Sequence, residues 1–158
     1  MAKYEEPLVH QLIQVTKKYL NAFSESTENI PLERYHYALL LIDENGESLT
    51  QKALAKLLEV DKSFMVGMID YLTNSGYVYR ETNAEDRRQH VIKLTEKAKE
   101  IIPEINQSIH TVNQKAFGNL PDEKVNLFYE MIGMLQTNLN AHNTHEIAID
   151  YQNRNLST

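Results

Sequence analysis

The sequence predicts a mainly helical chain that carries one small β-hairpin. Apolar residues recur at three- and four-residue spacing along most of its length, the spacing of a helix face. Two short runs, Tyr77-Val78-Tyr79-Arg80 and Val91-Ile92-Lys93-Leu94, break that rhythm with β-branched and aromatic residues and read as strands. Turn formers such as Asp43-Glu44-Asn45-Gly46 and Gly76 fall between the segments, so the boundaries are marked locally.

The first helix runs from Pro7 to Phe23 and carries two apolar sets, Leu8, Leu12, Val15, Tyr19 and Val9, Ile13, Thr16, Leu20. Two faces at helical spacing suit a helix that meets its own core on one side and a partner on the other. After a polar break, Pro31 stands where a first helical turn tolerates proline, predicting a second helix from there through Ile42. Thr50 caps a short helix, TQKALAKLLEV, with Ala53, Leu54, Leu57 and Leu58 inward. Asp61 caps the next, which runs to Ser75 and is stopped by Gly76. Two helices this close in sequence outline a helix-turn-helix, and the hairpin with its charged loop ETNAEDRRQH, following directly, completes the layout of a winged helix. A long helix then opens at Thr95 and continues through Val112, with Pro103 placed to bend it. A last helix after Gly118 and Pro121 carries Val125, Phe128, Met131, Ile132, Leu135 and Leu139. The terminal helices hold more apolar surface than one chain can cover, which predicts a helical homodimer. The expected division of this single continuous domain is a dimerisation helix over 1–30, a winged helix-turn-helix lobe over 31–97, dimerisation helices over 98–141 and a polar tail over 142–158.

Composition narrows the function classes. With 158 residues, 42% of them hydrophobic and 24% charged, the chain is long enough for one well-packed domain. The absence of cysteine removes disulfides, thiolate metal sites and cysteine nucleophiles. Neither a signal-peptide core nor an apolar run of about 18 residues is present, so a cytoplasmic protein without a membrane partner is expected. Enzyme motifs are missing too: there is no G-x-S-x-G, no phosphate-binding glycine loop and no H-E-x-x-H. The string His142, His145, Glu146 has the wrong order for a zincin and fits a polar tail, so neither metal nor cofactor is expected. The formal net charge of −6 argues against a nucleic-acid partner.

Against that charge stands a resemblance. The segment Glu85-Asp86-Arg87-Arg88, followed after five residues by Leu94-Thr95, together with LTQKALAKLLEV and LTNSGYVYRE, resembles the MarR family of bacterial transcription regulators over about Leu8 to Leu139. The chain departs from the family pattern at Asn83 and Ala98, and in the recognition helix, where Val66 and Gly67 stand in place of a hydroxyl and a basic residue. The resemblance implies a homodimeric repressor that reads a pseudo-palindromic site in double-stranded DNA and is released by a small aromatic or phenolic effector.

In the recognition helix, spacing buries Met65, Ile69 and Leu72 and turns Lys62, Ser63, Val66, Gly67 and Asp70 outward, with Phe64 at the margin. Lys62 and Ser63 suit bases or phosphates, Phe64 and Val66 suit thymine methyl groups, and Gly67 permits close approach. Arg87 and Arg88 stand at the hairpin tip, from which an arginine enters the minor groove; Asp86 is expected to hold them with a charged hydrogen bond. Gln51, Lys52 and Arg80 are the expected phosphate contacts. A family-like ligand pocket would draw on His10, Gln14, His36 and Tyr37. The alternative function is a winged helix that binds a protein partner with little base reading. The bland face at Val66 and Gly67 and the acidic balance, eight basic against ten acidic residues from Asp43 to Lys97, motivate it.

Overall fold

The computed structural model describes residues 6–142 and 144. Six helices and one antiparallel hairpin follow in the order α1 (Leu8–Ser26), α2 (His36–Asn45), α3 (Gln51–Leu57), α4 (Lys62–Asn74), β1 (Val78–Thr82), β2 (His90–Leu94), α5 (Glu96–Phe117) and α6 (Asp122–Asn138). In the hairpin Val78 pairs with Leu94 and Thr82 with His90. Its inner strand also bridges to Thr50, and Ile92 N–H donates to the Leu49 carbonyl at 2.8 Å, tying the hairpin to the entry of α3.

One core holds the lobe together. Leu39, Ile42, Leu54, Met65, Ile69, Leu72, Tyr77, Ile92 and Ile105 are almost wholly buried, so α2, α3, α4, the hairpin and α5 share a single apolar centre. The caps explain why these helices start where they do. Thr50 accepts from Ala53 N–H, Asp61 from Phe64 N–H and Thr95 from Ala98 N–H. Gly76, at φ +80°, reverses the chain after α4 so that Tyr77 N–H reaches the Leu72 carbonyl. Thr95 Oγ1 donates to the Gly76 carbonyl at 2.7 Å, which makes the Leu-Thr pair a joint between the end of α4 and the start of α5.

Two expectations are corrected. The second helix begins at His36, because Ile30 and Leu32 are drawn into the core in a non-helical segment and Tyr35 sits at φ +68°. Nothing on α1 is buried: Leu8, Val9, Leu12, Ile13 and Val15 are exposed, and only its C-terminal part, through half-buried Tyr19 and Leu20, meets the rest of the chain. There Tyr19 Oη donates to Asn113 Oδ1 at 2.7 Å, across to α5. Helix α5 runs unbroken through Pro103. Among the described residues no helix is long and apolar enough to cross a membrane. His145 and Glu146 lie outside the described residues; His142 follows the end of α6.

Candidate nucleic-acid interface

Helix α4 turns Met65, Met68, Ile69 and Leu72 into the core, which leaves Lys62, Ser63, Phe64, Val66, Gly67 and Asp70 on the open side. Met68 joins the buried set that spacing had limited to three residues. A Cβ built on Gly67 meets no atom within 4 Å, so the missing side chain leaves the middle of this face open toward solvent.

The hairpin loop is built around Asp86. Its Oδ1 accepts from Arg88 N–H and its Oδ2 from the Gln89 side chain, both at 3.0 Å, while Gln89 N–H returns to the Asp86 carbonyl. The carboxylate therefore shapes the backbone beneath Arg88 and does not bind a guanidinium. Asn83 contributes a similar turn, accepting from Glu85 N–H at 2.9 Å. Arg87 and Arg88 are exposed and, among the described residues, form no hydrogen bond or ion pair through their side chains.

Arg80 behaves differently. It donates to Asp70 Oδ1 of α4 at 2.6 Å and to Gln51 Oε1 of α3 at 3.4 Å, so it clasps the helix-turn-helix from the hairpin. Of the three expected phosphate contacts, Arg80 and Gln51 are thus engaged with each other and with Asp70, whereas Lys52 is exposed without an ion pair among the described residues. Lys93 pairs with Glu81 at 2.6 Å. These pairings resolve the acidic balance locally. Carboxylates occupy Arg80 and Lys93, while Lys52, Lys62, Arg87 and Arg88 are exposed and form no ion pair among the described residues.

The four residues expected in a ligand pocket are not brought together within one chain. His10 and Gln14 share a hydrogen bond of 2.8 Å on the exposed part of α1. Tyr37 is 58% exposed, whereas His36 is buried edge-on against Phe23 with ring centroids 5.4 Å apart. Burial holds the His36 imidazole below its ordinary pKa, a hydrogen bond with the Leu32 backbone acting the other way, and its Nε2 has no partner. Open clefts of about 360 and 400 Å³ lie at α5, against the end of α1 and against α6, and none of the four lines them.

A cluster that spacing did not single out lies beside α4. Tyr35 is edge-on to Tyr71 at 5.4 Å and to Phe64 at 6.3 Å, and the Arg34 guanidinium lies over the Tyr71 ring at 4.9 Å. No local pattern signals it, since its members come from the α1–α2 connection and from both ends of α4.

The lobe matches a family profile described as MarR family over residues 29–89. The lobe is therefore similar to the MarR family, and the chain shares a winged-helix fold with solved transcriptional regulators. The transcriptional regulator SlyA superposes with a TM-score of 0.75 at 19% identity, over 85% of this chain and 94% of that one. The transcriptional repressor CouR, bound to a 23-mer DNA duplex, gives 0.74 at 21% identity, over 82% and 92%. A point mutant of MarR from E. coli, complexed with operator DNA, gives 0.73 at 23% identity, over 82% and 93%. The MarR-family match begins just before Ile30 and ends in the hairpin loop, so it contains the helix-turn-helix and both wing arginines. The likeness of the remaining helices rests on the structural superpositions.

Proposed function

We propose that the chain is a homodimeric transcriptional repressor that reads a pseudo-palindromic DNA site with α4 in the major groove and the hairpin loop in the minor groove. The observation that carries this is an open α4 face followed by a hairpin whose tip, braced by Asp86, carries two exposed arginines without an ion pair among the described residues. A helix of about 10–12 Å diameter fills a major groove about 12 Å wide, and a flanking arginine finds the strongest negative potential in a narrow minor groove. The complexes of CouR and of E. coli MarR with DNA support the same use of this fold.

Dimerisation supports the reading physically. Leu8, Leu12, Ile13, Leu127, Phe128, Met131 and Met134 are all exposed on α1 and α6, more apolar surface than a monomer leaves in water. Two lobes joined through these helices would present two α4 helices to successive major grooves, about 34–36 Å apart. Effector release, which the family resemblance implies, would then need a pocket completed by the second copy, since His10, Gln14 and Tyr37 face outward.

Titration of Arg88→Ala against a selected site tests the reading. The expected loss is about 1–3 kcal/mol of binding, with a shallower salt dependence; undiminished specific binding would remove the wing from the interface. A second reading, a winged helix that docks on a protein, is motivated by the apolar exposure of Phe64 and Val66 on α4. Selective capture of a protein partner through α4, with no DNA sequence preferred, would favour it.

A further inference from the structure

We propose that Arg34 is a phosphate anchor for the DNA strand running along one flank of α4, an inference that rests on the DNA-binding reading above. With 3.6 residues per turn, Asp70 lies near the middle of the open face of α4, beside Ser63, and Phe64 and Tyr71 lie on one flank. A helix that fills the major groove sets its flanks against the two sugar-phosphate walls. Two arginines reach this face from other elements, and one is Arg80, bound to the Asp70 carboxylate at 2.6 Å and therefore neutralised.

The other, on the flank of Phe64 and Tyr71, is Arg34. Its guanidinium lies over the Tyr71 ring at 4.9 Å and near the Tyr35 ring at 5.7 Å. No carboxylate pairs with it among the described residues, and the residue is exposed. The Tyr35 and Tyr71 side chains also hydrogen-bond the guanidinium but bring no opposing charge, so its positive charge is held in place without being neutralised and its remaining N–H groups suit a phosphate contact. The backbone carries a second sign. Tyr35 is held at φ +68°, a strained conformation for a bulky residue, and its ring contacts with Phe64 and Tyr71 retain it there. Arg34 is thereby locked to the helix that reads the bases, so a phosphate held by Arg34 fixes how deep α4 sits.

The test is a salt titration of duplex binding by the full-length wild type, Arg34→Ala and Arg34→Lys, on a site selected from random DNA and on an unrelated duplex, with thermal unfolding of each variant alongside. The expected result is that Arg34→Ala weakens binding to both duplexes by a similar factor. The slope of log affinity against log salt should become shallower by about 0.9 for each protomer bound. Arg34→Lys should keep the slope and lose part of the affinity. An unchanged slope for Arg34→Ala, with or without a lowered melting temperature, would make the cluster a structural clamp only and overturn the proposal while leaving DNA binding intact. Weakening confined to the selected site would also overturn it, since that marks a base contact. Failure of the wild type to bind any duplex would overturn the underlying reading as well.

Discussion

The lobe from α2 to the hairpin and the two outer helices are made of similarly apolar sequence, yet they end up in opposite states. Helix α2 alone buries six residues, among them Leu39 and Ile42, and α4 buries four; α1 and α6 bury none. The lobe is completed by its own chain. The outer helices leave apolar side chains exposed, and Phe128 and Tyr129 of α6 cluster there with Phe117 of α5, with centroids 5.5 to 6.0 Å apart. On the proposed reading, contacting DNA and holding two copies together are separate tasks given to separate parts of one chain.

The difference can be broken most severely from the outside. The double substitution Met131→Glu and Met134→Glu places charges on an exposed apolar face of α6, where a monomer tolerates them and a helical interface does not. Sedimentation should then report a monomer with native circular dichroism, and affinity for a two-half-site duplex should fall by about 10²–10⁴ as bivalency is lost. A folded dimer that binds as before would mean that α6 is not the interface. The next largest effect belongs to the lobe core. Ile92→Ala, at a fully buried position between the hairpin and α2, should cost about 2–5 kcal/mol by urea denaturation, and should do so without changing the mass of whatever remains folded.

How much of this was legible in the sequence follows the same division. Elements decided by their own neighbours were readable: Asp61 and Gly76 bracket α4 because a cap and a left-handed stop act within one turn. The start of α2 was not. Pro31 offers a local start, but burial of Ile30 and Leu32, a tertiary matter, keeps the chain out of helix until His36. The same holds within the interface. Arg87 and Arg88 were found because the hairpin loop announces itself, whereas the engagement of Arg80 depends on Asp70 and Gln51, ten and 29 residues away. Which of His36 and Tyr37 points inward is likewise set by how α2 meets Phe23, which spacing does not encode.

Smaller changes sharpen the comparison. Gly67→Ala should stabilise the chain by about 1 kcal/mol in urea, because helix propensity rises and the new methyl meets nothing within 4 Å. If α4 is pressed into a groove, the same variant should bind its site more weakly; stabilisation without loss of binding would place Gly67 away from the duplex. The pH dependence of folding is the mildest effect. Since burial holds His36 below its ordinary pKa, the unfolded chain takes up a proton first as pH falls below about 6.5. This contribution leaves stability level above that pH and lowers it progressively below, until the folded-state pKa is reached. Urea denaturation of His36→Leu between about pH 8 and pH 5 should show a flatter acid limb than the wild type; an identical limb would assign the acid sensitivity to other groups.

Selection of binding sites from a random duplex pool by the full-length chain tests the central claim most directly. The expected product is an enriched pseudo-palindrome whose half-sites are centred about 10 base pairs, one helical turn, or a multiple of it apart. A pool that emerges without any enriched sequence, from protein that is folded and dimeric, would contradict it.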